Sequence, residues 1–375
     1  MITLEEGTEL TQHAREEGKR LSRVVEGFYR FLIMVNWIIG ALGCLTATVR
    51  IFKAVAGGFE EIGSFTQTYR ECMPTLRRKV GFSLCLALFA VIPSLLAQDV
   101  SYLQSVEKWR ADYKSELTSD TGWLTVSGLF WLHEGQNRFG SGPSGDILLP
   151  ASAPADAGFF DFHQGKTVVH VYPGVPVTMN GKPVQTAELR PDVREDRLVL
   201  GDLTLNVHAS GTRLAIRVRD KNSKIRKEFT TLDWFPVDES YRVTAHFVPY
   251  DPPKELDSQN VLGDPIKMSI VGYLVFTLHG QNLRLDVESG DKGGFFVVFR
   301  DLTSSKDTHP STRFIDTPPP QNGPNGKTVD LDFNKAYNPP CAYNPYTTCP
   351  LPLRENRLAV RIPAGEKRYK HSHES

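Results

Sequence analysis

Neither sign of charge is in excess: 43 Lys and Arg balance 43 Asp and Glu. Binding a phosphate backbone needs surplus cations on one face, so a general nucleic-acid binder is excluded. No long block of like charge occurs either. Nucleotide and nucleophile motifs are missing too. Gly165-Lys166-Thr167 and Gly326-Lys327-Thr328 end like a phosphate loop, but Phe160 and Gln321 stand where its first glycine belongs. There is no G-x-S-x-G elbow. Ser105–Lys108 and Ser289–Lys292 match Ser-x-x-Lys without its companion motifs. Cysteine is scarce: Cys44, Cys72, Cys85, Cys341 and Cys349, with no C-x-x-C element. Zinc and thioredoxin-like readings are therefore weak. Histidines are dispersed apart from His371 and His373. Asp161, His163 and His170 are close in sequence but lack a third partner, so no metal and no cofactor is expected. His208 and His246 fall on polar strand faces, where solvated side chains are expected.

What the chain does have begins with two apolar runs. Residues 73–97 read as a signal peptide or membrane anchor. Arg77, Arg78 and Lys79 form a basic start, Val80 to Leu96 is uncharged, and Ala97 precedes polar Gln98-Asp99. Upstream, Phe31 to Val49 is a second apolar run, a possible transmembrane helix within residues 1–72. Two explanations compete. Both runs are helices with a basic cytoplasmic loop between them, or the true start is Met73 and residues 1–72 are a misassigned extension. The second is favoured, and both put the folded part outside the cytoplasmic membrane.

Tyr102, Val106, Trp109 and Tyr113 recur at helical spacing within 98–119, which predicts one amphipathic helix packing an aromatic stripe on a sheet. The period then becomes two. Leu203/Leu205/Val207, Leu214/Ile216/Val218, Val243/Ala245/Phe247, Leu283/Leu285/Val287 and Leu358/Val360/Ile362 alternate with polar or small residues, as half-buried strands do. Asn180-Gly181, Gly201-Asp202 and Gly290-Asp291 mark turns between strands. The expected fold is mainly β: N-terminal hydrophobic segments and one helix, then two fused antiparallel sandwich or barrel units. These span 120–220 and 221–368, divided near "DKNSKIRK", Asp220 to Lys227. Residues 369–375 form a polar tail expected to be disordered.

The C-terminal unit holds the one polar constellation worth weighing. Asp301, Arg313, Asp332 and Glu355 are the candidate catalytic residues. Asn334, Tyr337, Asn338, Asn356 and Arg357 are candidate ligand contacts, with Arg300 beside them. Asp330 and Asp332 share one strand face, so two carboxylates converging on a sugar or cation can be imagined. The plainer role is structural. A proline-rich stretch without a ladder needs Asp and Asn side chains to bond its backbone, and arginines to pair with carboxylates. That reading is preferred. Outside the cytoplasm Cys341 and Cys349 are expected to form a disulfide, worth about 2–3 kcal/mol in the chain-entropy model. A catalytic thiol needs a histidine or helix N-terminus at hand. The nearest upstream histidine is His309, and no helix is predicted there.

Two resemblances add to this. "GQNRFGSGPSGDILLP" (Gly135 to Pro150), "VTMNGKPV" and "LVLGDLTLNV" resemble the strands of a forkhead-associated domain, over Gly135 to about Asp220. That family binds phosphothreonine through an Arg after its first-motif Gly and a Ser-x-x-His element. Here Gly140 is followed by Ser141, and no Ser-x-x-His follows Pro150. The resemblance implies the framework without the phosphothreonine-binding residues. From Trp109 to Lys367 the chain resembles exported bacterial proteins with domain of unknown function 1684. The residues that carry it are "GWLTVSGLFWLHEGQNRFGS", "WFPVDESYRVTAHFVPY", "FRDLTSSKDTHPSTRF" and "LDFNKAYNPPCAYNPYTTCPLPLRENRL". This resemblance implies export and architecture but no reaction.

The expected function is a non-enzymatic binding or scaffold module of the cell envelope, whose partner is a small molecule, a glycan or an envelope protein. It would touch the membrane only through its N-terminal segments. The alternative is an extracytoplasmic hydrolase acting on carbohydrate or envelope material, with Asp332 and Glu355 as its carboxylates.

Overall fold

The computed structural model describes residues 101–324 and 326–370. The upstream extension, both apolar runs and residues 371–375 lie outside the described residues. All described residues belong to one compact unit. No helix among them is long and apolar enough to cross a membrane.

Residues 101–117 form the expected helix, α1. Tyr102 and Val106 are buried, while Trp109 and Tyr113 are half-buried. Trp109 and Tyr113 stack on each other and meet Trp234 edge-on and Tyr337 at a tilt. The i, i+4 spacing on one helix face makes that stacking possible. The stripe therefore packs on the C-terminal half of the chain, as its period implied.

Eleven strands follow: β1 (Val126–Trp131), β2 (Gly135–Gly140), β3 (Ile147–Leu148), β4 (Gly158–His163), β5 (Lys166–Val171), β6 (Thr178–Met179), β7 (Lys182–Pro183), β8 (Thr186–Leu189), β9 (Leu198–Leu200), β10 (Leu203–Ser210) and β11 (Arg213–Asp220). They build a six-stranded sheet, β1-β11-β10-β9-β6-β7, and a five-stranded sheet, β3-β2-β4-β5-β8. One apolar core joins the two. Phe139, Phe160 and Val169 come from the five-stranded sheet; Leu198, Leu205, Val207, Ile216 and Val218 come from the other. Alternation along β10 and β11 supplies these inward residues, as expected for a sandwich. The turn between β6 and β7 is made by Asn180 and Gly181, both at positive φ, 52° and 73°. Such a two-residue turn matches the right-handed twist of the strands it joins.

A single helical turn, α2 (Lys224–Glu228), follows β11 at the sequence segment read as a boundary. Ser223 caps it by accepting from the N–H of Arg226. No helix was expected after residue 118. One turn buries no stripe of its own, so it leaves no periodic signal.

The remaining strands are β12 (Arg242–Gln259), β13 (Pro265–Leu278), β14 (Gln281–Ser289), β15 (Phe295–Phe299), β16 (Arg313–Asp316), β17 (Gln321–Gly323) and β18 (Gly326–Asp332). They form one antiparallel sheet, β16-β15-β14-β13-β12-β18-β17. It has an apolar cluster on each side. Leu274, Phe276, Leu285, Val297, Phe299 and Leu331 pack under Phe333, Leu358, Ile362 and Ala364. Met268, Ile270, Val298 and Phe314 pack against Cys349 and Leu353. Consecutive Val297 and Val298 thus enter different clusters, which is the period-two rule at work.

One expected strand is absent. Residues 358–362 form no ladder, although Leu358 and Ile362 are buried. The segment is an irregular strap. It exchanges isolated bonds with residues 300–302, such as Leu358 N–H to Arg300 C=O and Leu302 N–H to Val360 C=O. The alternation there reports burial under a strap, not a strand in a sheet.

Candidate functional site

Of the nine candidate site residues, Arg313 and Asp301 are tied into the strap, and Asn356 and Asn338 bind chain on either side of it. Arg313 on β16 and Asp301 form an ion pair at 3.2 Å, and both side chains are fully buried. Arg313 also donates to the carbonyls of Ile362, at 3.1 Å, and Ala364. Asp301 accepts from the N–H of Ile362 at 2.8 Å and from Thr303 N–H at 2.9 Å. Every bond of the pair except those to Thr303 holds the strap. Burial lowers the Arg313 guanidinium, and Asp301 opposes that shift. Asn356 crosses to β14 and β15: its side chain donates to the carbonyls of Asp286 and Val298, both at 2.8 Å, and accepts from Asp286 N–H at 2.7 Å. Asn338 donates its backbone N–H to the Glu366 carboxylate at 2.8 Å and its side-chain amide to the carbonyl of Lys367 at 2.8 Å.

The others divide between helix contacts and the surface. Asp332 accepts from the Tyr102 hydroxyl of α1 at 2.9 Å and from Asn334 N–H at 3.0 Å. Asn334 donates to Tyr102 Oη at 2.9 Å and holds Asp238 by both its backbone N–H and C=O. Tyr337 donates to Asp316 at 2.6 Å. Glu355 and Arg357 are exposed beside the strap. The cavity described below is lined by neither Asp332 nor Glu355. Asp301 and Asp332 cap and clamp backbone N–H groups.

Glu366 was not singled out from sequence, yet it is the most perturbed acid of the group. It is buried beside Tyr343, whose hydroxyl donates to it at 2.5 Å. Burial pushes its carboxyl up to about 7, against the pull of the Asn338 and Tyr343 bonds and the Arg313 charge. No periodicity in "PAGEKRYK" marks it, because its partners lie more than 20 residues away.

The expected disulfide is corrected: Cys341 and Cys349 are free thiols. The backbone N–H of Cys341 donates to Cys349 Sγ at 3.3 Å, so one thiol sits as acceptor in the turn that the other begins. The hydrogen bond to Cys349 and burial push the Cys341 thiol up, while the same bond pulls Cys349 down. His309 does reach Cys341, with Nε2 3.9 Å from Sγ. Its imidazole, however, is lowered to about 4, chiefly by burial, and it accepts no proton near neutrality. His208, expected in solvent, is 8% exposed: it lies between Asp192 and Thr348, 2.8 Å from each. The C-terminal loop covers it, a contact that strand alternation does not encode.

An open cavity of about 400 Å³ lies along β12 and β18. Its floor is Arg242, which holds Asp330 by Nε at 3.0 Å to each carboxylate oxygen and by Nη2 at 2.9 Å. The same guanidinium rests 4.9 Å from the Tyr102 ring. Thr244, Gln321 and Thr328 add polar groups, Pro318 and Pro319 an apolar wall, and Glu239 a second carboxylate. Asp330 was read from sequence as half of a carboxylate pair; its actual partner is Arg242.

Two outcomes are expected. Arg313→Met strands Asp301 as a buried charge and lowers unfolding free energy by about 3–5 kcal/mol in urea titrations. Adding Asp301→Leu recovers part of that loss, since no charge is then stranded. Glu366 gives a pH signature. Between 4.5, its ordinary value, and about 7, the folded chain keeps a proton that the unfolded chain has released. Folding is therefore strongest below pH 4.5 as far as this group goes, weakens as pH rises to about 7, and is flat above. Glu366→Gln should flatten that slope in denaturation curves measured from pH 5 to 8.

None of the curated proteins matches the chain. Among solved structures it is similar to an uncharacterised protein of Haloarcula marismortui determined by solution NMR. Identity is 32%, over 38% of this chain and 78% of that one, with a TM-score of 0.32. Two forkhead-associated domain structures are similar at 20% identity over 24% of this chain, each with a TM-score of 0.18. One, covered to 92%, comes from work on phosphothreonine-dependent FHA domain interactions; the other, covered to 97%, is the FhaA FHA domain complexed with the intracellular domain of Rv3910. TM-scores this low carry no conclusion about the present chain. Residues 227–367, which hold the seven-stranded sheet and its strap, match the family described as Protein of unknown function (DUF1684).

Proposed function

We propose that the protein is a non-enzymatic binding module of the cell envelope, exported by or anchored through residues 73–97, with the β12–β18 cavity as its ligand cleft. The observation that carries the reading is the Arg242–Asp330 pair. It is half-exposed and already charge-neutral. A closed ion pair of this kind does not attract a charged ligand strongly, but it presents fixed donors and acceptors to hydroxyl groups. With two threonines, a glutamine and a proline wall around it, the cleft suits a neutral polyhydroxyl ligand such as a glycan. The burial of Asp332, held by the Tyr102 hydroxyl and the Asn334 N–H, favours this reading over the hydrolase, whose acid and base need access to substrate and water. The first sandwich is read as a forkhead-associated framework serving as scaffold.

Soluble neutral N-acetylglucosamine oligosaccharides titrated calorimetrically into the purified chain test the cleft. Saturable binding is expected, weakened at least tenfold by Arg242→Ala and by Thr328→Val. Absence of binding, or release of new reducing ends from the oligosaccharides, would sink the reading. Export is tested separately by mass spectrometry of the native N-terminus. A mature peptide beginning at Gln98 is expected for a cleaved signal; recovery of peptides from residues 1–72 would eliminate the Met73 start.

A further inference from the structure

Most buried charges in this protein have a partner. An exception lies on the six-stranded sheet, away from the strands that form the cleft. Leu203, Leu205, Val207, Ile216 and Val218 point into the sandwich core, so Asn206, His208, Arg217 and Arg219 point to the opposite face. Register places Asn206 opposite Arg217 and Thr204 opposite Arg219. β9 pairs with β10 through Leu198 and Leu205, which brings Arg197, the residue before β9, beside Asn206. Two arginines of β11 and one at the start of β9 are thereby placed on the same face, on either side of β10.

Their surroundings do not neutralise them. Arg217 is 7% exposed, yet its guanidinium makes no hydrogen bond and no ion pair among the described residues, and its Nε is sealed from solvent without a partner. Its guanidinium lies 5.6 Å from the Trp123 ring, and that of Arg219 lies 5.0 Å from the same ring. Arg219 donates to the carbonyls of Thr121 and Gly122, at 3.2 and 2.9 Å. Arg197 is half-buried and has no ion pair among the described residues. The carboxylate whose charge reaches Arg217 is Asp192, and it is already held by His208 at 2.8 Å and by Ala209 N–H at 3.1 Å. Burial, then repulsion from Arg217 and Arg197, brings the Arg219 guanidinium down to about 10. Trp123, 37% exposed, leaves the arginine face a half-open rim.

A buried guanidinium with an unmade bond calls for a fixed acceptor. Three guanidinium groups on one sheet face, two of them against the same indole, suit an acceptor with several oxygens and more than one negative charge. We propose that Arg197, Arg217 and Arg219 form a binding site for a phosphate-type dianion, either free phosphate or the monoester headgroup of a lipid. The site is independent of the glycan cleft and stands or falls without it.

The test uses the full-length chain in phosphate-free buffer at constant ionic strength. Inorganic phosphate is titrated while the melting temperature is followed. In parallel, the chain is floated with phosphatidylcholine vesicles containing or lacking phosphatidic acid. Phosphate is expected to raise the melting temperature saturably, and Arg217→Met and Arg197→Met should each weaken the apparent affinity at least tenfold. Without phosphate, both variants should melt no lower than the parent, since each removes a repelling charge. If Arg217→Met does not fold, the half-exposed Arg197→Met carries the test. Flotation that needs phosphatidic acid and Arg197, with phosphate itself silent, assigns the same site to a lipid headgroup. No response to either probe, or variants that respond like the parent, overturns the proposal.

Discussion

The C-terminal half depends on one buried ion pair. Arg313 opens β16 and Asp301 lies two residues past the end of its neighbour β15, and alone they would be an expense: two charges in an apolar interior. They are tolerated because each has backbone partners besides the other. Arg313 takes the carbonyls of Ile362 and Ala364, and Asp301 takes the N–H groups of Ile362 and Thr303. Those are bonds that a strap without a ladder would otherwise leave unmade. The pair thus substitutes for a strand partner. It holds Leu358, Ile362 and Ala364 over the sheet, and those side chains complete an apolar cluster that β13, β14 and β15 cannot close alone.

From the strap the constraint passes outward. Glu366 follows directly and grips Asn338 and Tyr343, which belong to the loop carrying the two cysteines. Asn344 in that loop donates to the carbonyls of Trp123 and Val126, and Thr348 meets His208. Ala342 and Tyr343 share an apolar cluster with Leu117 of α1 and Leu124. One proline-rich segment therefore touches the helix, the first sandwich and the strap. Its rigidity comes from side-chain bonds to backbone rather than from a sulfur bridge. This explains why the stretch is so rich in asparagine: each amide supplies both a donor and an acceptor to irregular backbone.

What could be read in the sequence was what local periodicity records. The aromatic stripe of α1, the alternation of β10, β11, β12 and β14, and the Asn180-Gly181 turn follow from backbone geometry within a few residues. The strap misled because alternating burial does not distinguish a ladder from a covering segment. His208 misled because its covering loop comes 140 residues later. Asp301, Arg313 and Asp332 were visible as polar residues in apolar company, and their structural role follows from the same shortage of ladder bonds that the prolines announce. Glu366 and the Arg197–Arg217–Arg219 group were invisible, because only strand register and the return of the chain bring their parts together.

The two kinds of buried charge found here differ in a way that bears on function. Arg313 has an acid and two carbonyls and lacks only a partner for Nε; its removal damages the fold. Arg217 is bonded to no acid and no carbonyl: Asp192 reaches it only through space, and Arg197 repels it. A charge of the first kind explains itself through the architecture it holds. A charge of the second kind weakens the isolated chain, since desolvation is not offset by any bond the chain provides. The compensating interaction must then come from outside the chain, and the sign, number and fork geometry of the donors specify what it is: a compact, multiply charged oxyanion rather than a neutral glycan or a cation.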